Sequence, residues 1–228
     1  MKSPAKQPCH LFLFDLDGTL IDSRADITRS VNLALARMNL PQLHESRITD
    51  FVGNGMTVLM ERSLRETTGL QPESALIQEG VRLLKEEYAN HLLDQTLLCP
   101  HVREGLDRLS WARFAVVSNK PEVFSRRILE GLGIGSRFSI VLGGDSTPKH
   151  KPDPASLLMA MKYCNVPASL TAMIGDSPVD MQAGKAAGVT TCGVLGGYRP
   201  AKELEATGCD LLIDSLLELA DHFCPPDA

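Results

Sequence analysis

From Pro100 onward, short apolar runs alternate with stretches of helical spacing, and this alternation limits the fold more than any other feature of the chain. FAVVSN, FSIVLGG, LTAMIGD, VTTCGVL and DLLIDS read as strands. HVREGLDRLSW, PEVFSRRILEGLGI, PASLLMAMKYC, PVDMQAGKAAG and LLELADHF read as helices. Such alternation predicts a parallel sheet covered on both faces. Crossovers in such sheets are right-handed, and ligands lie at the carboxyl ends of the strands.

Leu11 to Phe14 reads as one more buried strand of the same sheet. The section from Asp22 to Leu98 carries no strand signal. SRADITRSVNLALARM places Ile27, Val31, Ala34, Leu35 and Met38 at helical spacing, with Ser23 and Asp26 resembling a capping pair. MTVLMERSLRETTG and PESALIQEGVRLLKEEYANHLL read as further helices, separated from the first by the glycine-bearing turn FVGNGM. A chain of 228 residues can hold two modest domains. The expectation is an α/β protein: a Rossmann-like parallel-sheet core of residues 1–21 and 99–228, with an α-helical cap, 22–98, inserted after the first strand.

The strand ends carry unusual side chains. The first strand runs into Asp15 and Asp17, two carboxylates separated by one leucine. FAVVSN ends in Ser118 and Asn119, KHKPDP supplies Lys151, and AMIGDSPVD supplies Asp176 and Asp180. Buried like charges repel and are costly to desolvate, so this set is a poor recipe for a core. It suits a divalent, oxygen-preferring cation beside a phosphate. An aspartate can attack phosphorus and split hydrolysis into two displacements. Mg2+ lowers the repulsion between the two anions, and a second carboxyl group can serve as acid and then base. Gly18 permits a sharp turn and Thr19 can bond it. Each residue also has a simpler reading: a turn pair for Asp15 and Asp17, a helix cap for Ser118, a solvated lysine for Lys151, and a dipole-stabilising carboxylate for Asp180.

The four segments DLDGTLIDS, SNK, KPDP and GDSPVD, in that order, closely resemble the motifs of the haloacid dehalogenase superfamily. The resemblance spans nearly the whole chain, and the position of the helical insertion matches the type with a helical cap after the first motif. VGNG followed by LMERSL, then PHV, SNKP, GGD and GDSPVDMQAGKAAG, resemble the phosphoglycolate phosphatase branch. The resemblance implies Asp15 as nucleophile and Asp17 as general acid/base. It implies Mg2+ held by Asp15, the backbone carbonyl of Asp17 and Asp176, with Asp180 in support. Ser118, the Asn119 backbone and Lys151 would hold phosphoryl oxygens. In the cap, Gly53, Asn54 and Gly55 are candidates for recognising the far end of the substrate, and so is Arg62; an ordinary turn and a solvated or ion-paired face are the simpler readings.

The expected activity is Mg2+-dependent hydrolysis of a small phosphorylated metabolite such as 2-phosphoglycolate. Alternatives are a phosphatase or mutase of another small ester such as a sugar phosphate, or a phosphoacceptor signalling domain. Thr19, where mutases often have valine, and the cap argue against the last two. A dehalogenase would need neither an acid at Asp17 nor a metal. The net charge of −5 argues against nucleic acid as a partner. No apolar run reaches membrane-spanning length, MKSPAKQPCH has no apolar leader segment, and six scattered cysteines fit reduced thiols. A cytoplasmic monomer or homodimer is expected.

Overall fold

The computed structural model describes residues 6–226. They form two compact units: the chain up to Ile21 together with the chain from Leu98 onward, and Asp22–Leu97. Leu98, expected with the helical section, belongs to the first unit.

The first unit is built on six strands: β2 (Leu11–Phe14), β5 (Arg113–Val117), β6 (Ile140–Leu142), β7 (Thr171–Gly175), β8 (Thr190–Val194) and β9 (Leu211–Ile213). Their order is β6-β5-β2-β7-β8-β9, and every pairing is parallel. The chain leaves β2 for β5 and β6 on one side, then returns to β7 on the other. The direction of winding therefore reverses at β2, where parallel sheets open a crevice at their carboxyl ends. Helices α5 (Val102–Arg108), α6 (Glu122–Gly131), α7 (Ala155–Cys164), α8 (Pro178–Ala187) and α9 (Ala201–Glu205) follow or connect the strands.

β2 is wholly buried because both of its faces are covered. Phe12 and Phe14 point one way, meeting Phe114 at ring distances of 6.4 and 5.8 Å, with Phe223 edge-on to Phe12 at 5.2 Å. Leu11 and Leu13 point the other way, into a cluster with Ala115, Val117, Leu157 and Met173. Full burial of each such side chain contributes about 1.5–3 kcal/mol. The expected closing helix is shorter than LLELADHF: a 3-10 turn at Leu216–Glu218 and α10 (Leu219–His222) give way to β10 (Phe223–Cys224). β10 pairs with β1 (Gln7–Pro8), and in that register the Phe223 ring reaches the aromatic face.

The second unit holds α1 (Arg24–Arg37), α2 (Glu45–Phe51), α3 (Met56–Thr68) and α4 (Ser74–Asn90). α2 was not anticipated; its seven residues bury only Ile48, too little to show as a periodic pattern. Two short strands at the ends of the section, β3 (Ile21–Asp22) and β4 (Leu97–Leu98), pair with each other, although no strand was expected there. Two-residue strands leave no alternation to read. Gly53 and Gly55 adopt φ values of 112° and 86°, and Gly55 sits at the start of α3. Glycine suits this turn because L side chains rarely adopt such angles.

The Ser23–Asp26 capping pair does not form: the Ser23 side chain makes no cap hydrogen bond. Asp26 is instead fully buried. It accepts from the Gln95 and Thr96 backbone N–H groups at 3.0 and 2.8 Å and from the Thr96 hydroxyl at 2.7 Å. Sequence spacing hides this, because the partners lie about seventy residues downstream. Asp26→Ala should strand these buried donors and lower stability by about 3 kcal/mol, read as a lower urea midpoint. A change below ~0.5 kcal/mol, as for a surface substitution, would deny the clamp its role.

Candidate active site

The crevice begins where β2 runs out. The Asp15 backbone N–H still bonds the Ile174 carbonyl at 2.9 Å, so Asp15 is held as the last rung beside β7. The chain then coils tightly. The Leu20 and Ile21 amides return to the Leu16 carbonyl, and the Gly18 amide bonds Ile21. Gly18 has φ of 82°, and a Cβ there would lie 2.2 Å from Asp176 Oδ2. A Cβ on Gly197 would lie 2.4 Å from the same oxygen. Two bare backbone segments thus enclose Asp176, which is 2% exposed. Its carboxylate accepts from the Tyr198 N–H at 2.6 Å and the Thr19 hydroxyl at 3.4 Å.

Lys151 joins two of the other carboxylates. Its ammonium donates to Asp15 Oδ1 at 2.9 Å and to Asp180 Oδ1 at 2.6 Å, and its side chain is 2% exposed. A solvated surface lysine is excluded. Asp180 is the N3 residue of the α8 capping box, with Oδ2 accepting from the Ser177 N–H and hydroxyl. It takes part in the helix cap with one oxygen and bonds Lys151 with the other.

One oxygen from each of Asp15, Asp176 and Asp180 lies within 4.8 Å of the others. Burial first, then the negative charge of Asp180, raises the Asp15 pKa, with Lys151 opposing. Burial and the Asp15 and Asp180 charges raise Asp176 well above the usual carboxylate range. Burial alone would lower the Lys151 pKa; Asp15 and Asp180 overcome it and raise it. With Asp17, four carboxylates face two ammonium groups, Lys151 and Lys120. That deficit of two positive charges, in an all-oxygen donor set, fits one divalent cation. The Asp15, Asp176 and Asp180 cluster can hold such an ion.

Asp17 is not one of this group and pairs with Lys120 at 2.9 Å, the two side chains 11% and 5% exposed. Lys120 was not anticipated, although it is the third residue of SNK; a lysine beside a proline gave no sign of burial. Ser118 does not cap α6, which begins from Pro121; its hydroxyl accepts from the Lys120 N–H at 3.2 Å. The Asn119 side chain donates to the Lys151 carbonyl at 3.0 Å and accepts from the Lys151 N–H at 2.9 Å. Asn119 therefore yokes the loop after β5 to the segment that carries Lys151. Gly53, Asn54, Gly55 and Arg62 belong to the other unit. Arg62 on α3 is half-buried, while Arg65 pairs with Glu61.

Residues 12–194 match the model of the haloacid dehalogenase-like hydrolases. The chain is 37% identical to the phosphoglycolate phosphatase of Colwellia psychrerythraea, covering 93% of this chain and 96% of that one. It is 38% identical to that of Pseudomonas putida, covering 95% and 80%. Its fold matches the crystal structure of "a predicted phosphoglycolate phosphatase from haemophilus somnus 129pt" with a TM-score of 0.87 at 31% identity, covering 93% and 97%.

The raised carboxyl pKa values carry a pH signature. Without a divalent cation, folded Asp15 and Asp176 keep protons to higher pH than the unfolded chain does. Stability should therefore fall as pH rises above the ordinary carboxylate range and through the raised range of these two groups. Asp176→Asn should flatten that fall. A divalent cation should raise the melting midpoint of the wild type, increasingly so as its ligands deprotonate, and leave Asp176→Asn nearly unmoved. Thermal scans in chelator and in Mg2+ check this; a wild-type midpoint that climbs across the window in chelator would contradict it.

Proposed function

The chain belongs to the haloacid dehalogenase-like hydrolase family, and on that premise we propose that it is a Mg2+-dependent phosphatase of a small phosphate monoester, 2-phosphoglycolate, in the cytoplasm. The reading rests above all on one arrangement: Asp15 at the end of the central strand, bonded to a buried lysine and grouped with Asp176 and Asp180. The names of the relatives support the choice of substrate. Among the described residues no helix is long and apolar enough to cross a membrane.

In this mechanism the Asp15 carboxylate attacks phosphorus and forms an acyl phosphate, while Asp17 gives its proton to the departing oxygen. Asp17, now a carboxylate, takes a proton from the water that cleaves the acyl phosphate. Lys151, the Ser118 hydroxyl and the Asn119 backbone N–H bind phosphoryl oxygens. Asp180 keeps the Lys151 ammonium beside Asp15. Bound Mg2+, held by Asp15, the Asp17 carbonyl and Asp176, would offset the repulsion between nucleophile and phosphoryl group. In the cap unit, Gly53, Asn54, Gly55 and Arg62 contact the non-phosphate end of the substrate. Local positive charge then gathers the anion despite a net charge of −5. The protein acts as a monomer or homodimer.

A panel of phosphate esters with Mg2+ or with chelator tests the reading. Turnover of 2-phosphoglycolate should require Mg2+, and Asp15→Asn should abolish it, since an amide forms no acyl phosphate. Asp17→Asn should lose about 10²–10⁴-fold on alkyl esters and less on an aryl phosphate, whose leaving group needs little protonation in the first step. Full activity of Asp15→Asn, or turnover indifferent to chelator, would defeat the proposal.

A further inference from the structure

The mechanism accounts for Lys151 but leaves a second buried cation with no task of its own. Lys120 stands at the carboxyl end of β5 with its ammonium 2.9 Å from Asp17 Oδ1. Its backbone is fixed on both sides: the N–H donates to Ser118 Oγ and the carbonyl accepts from the Gly144 N–H at 2.9 Å. Its side chain is 5% exposed. Burying an ammonium is costly unless it is paired. Asp17 pairs it in the structure described here, yet Asp17 is the group that must turn to the ester oxygen during turnover.

We infer that Lys120 binds a carboxylate carried by the leaving group, and so makes the site selective for phosphate esters of 2-hydroxy acids. The inference rests on the phosphatase reading and concerns its specificity. A general acid must come within hydrogen-bond reach of the oxygen it protonates. In an ester of the form phosphate–O–CH2–COO−, the carboxylate oxygens lie about 3 Å from that same oxygen, by ordinary bond lengths. A cation bonded to the Asp17 carboxylate thus stands about one further hydrogen bond from where the substrate carboxylate arrives. An ammonium carries three N–H donors, so Lys120 can hold Asp17 and the substrate carboxylate together. An ester with a methyl group at that place offers it no second anion. No covalent step is added: the proton travels from Asp17 to the ester oxygen as before, and the Lys120 ammonium keeps its own protons. The carboxylate also compensates Lys120 as the Asp17 charge changes, which an uncharged leaving group cannot do.

The test compares kcat/KM for 2-phosphoglycolate and ethyl phosphate, which differ by a carboxylate in place of a methyl group, in the wild type, Lys120→Met, Lys120→Gln and Lys120→Arg. A charge-assisted hydrogen bond of ordinary strength predicts that the preference for 2-phosphoglycolate falls roughly 10–10²-fold in Lys120→Met, chiefly through KM. Lys120→Arg should retain most of that preference. Lys120→Gln, similar in length and uncharged, should behave as Lys120→Met and stands in for it if the methionine variant does not fold. A ratio unchanged in Met and Gln variants would overturn the inference. So would a proportional loss on both esters, since Lys120 would then serve Asp17 or the phosphoryl group alone. If the wild type hydrolyses neither ester, the phosphatase reading fails by itself, and calorimetric titration of the Mg2+-loaded proteins decides the inference. Tighter binding of 2-phosphoglycolate than of ethyl phosphate, lost in Lys120→Met or →Gln, supports it; equal affinities in wild type and variants overturn it.

Discussion

Lys151, fixed between Asp15 and Asp180, is the contact on which the crevice depends. Without it, one carboxylate at the end of the most buried strand would face another at the start of α8, both shielded from water. Removing one partner of such a buried group costs more than the pair is worth, because the remaining charges stay behind. The rest of the crevice is organised to keep Lys151 in place. The α8 capping box fixes Asp180, the Asn119 amide grips the lysine backbone, and β2 carries Asp15 to the edge of the sheet. Capping, normally a matter of helix stability, here also sets the position of a charge.

Those features that recur at a fixed period, or as a contiguous string, could be read from the sequence. The strands of the core have continuous apolar runs because both faces are covered; their ends carried Asp15, Ser118 and Asp176, and the segment before α7 carried Lys151, in motif-sized packets. What could not be read has no local signature. Asp26 looked like a capping residue because its neighbours are local, while its hydrogen-bond partners are Gln95 and Thr96. Lys120 drew no reading at all, because nothing next to it in sequence discloses that Asp17 is its partner. The β3–β4 and β1–β10 pairs are two residues long, below the length at which alternation exists. Asn119 was expected to act through its backbone; that its side chain also ties two loops together had no signal in the sequence.

Asp15 and Asp17 differ by a single leucine and meet different surroundings. Asp15 stays on the β7 side of the sheet and shares its charge with Lys151 and the Asp176–Asp180 group. Asp17, inside the tight coil closed by Gly18, meets Lys120. Neighbouring groups of the same type can take opposite parts in acid–base chemistry when their environments differ. Here the difference is produced by one turn of backbone that only a residue without a side chain can make, with Asp176 packed against it.

β2 occupies the middle of the sheet but is the first of its six strands to leave the ribosome. Its register partner on one side begins at Arg113 and on the other at Thr171. At ordinary elongation rates of about 5–20 residues per second, the first neighbour emerges roughly 5–20 seconds later and the second later still. For that interval LFLF is an apolar strand with neither edge paired, joined to two acidic residues and a glycine that interrupt it. The carboxylates proposed as nucleophile and acid thus also place charged gatekeepers against intermolecular pairing on the nascent chain, before any crevice exists for them to line.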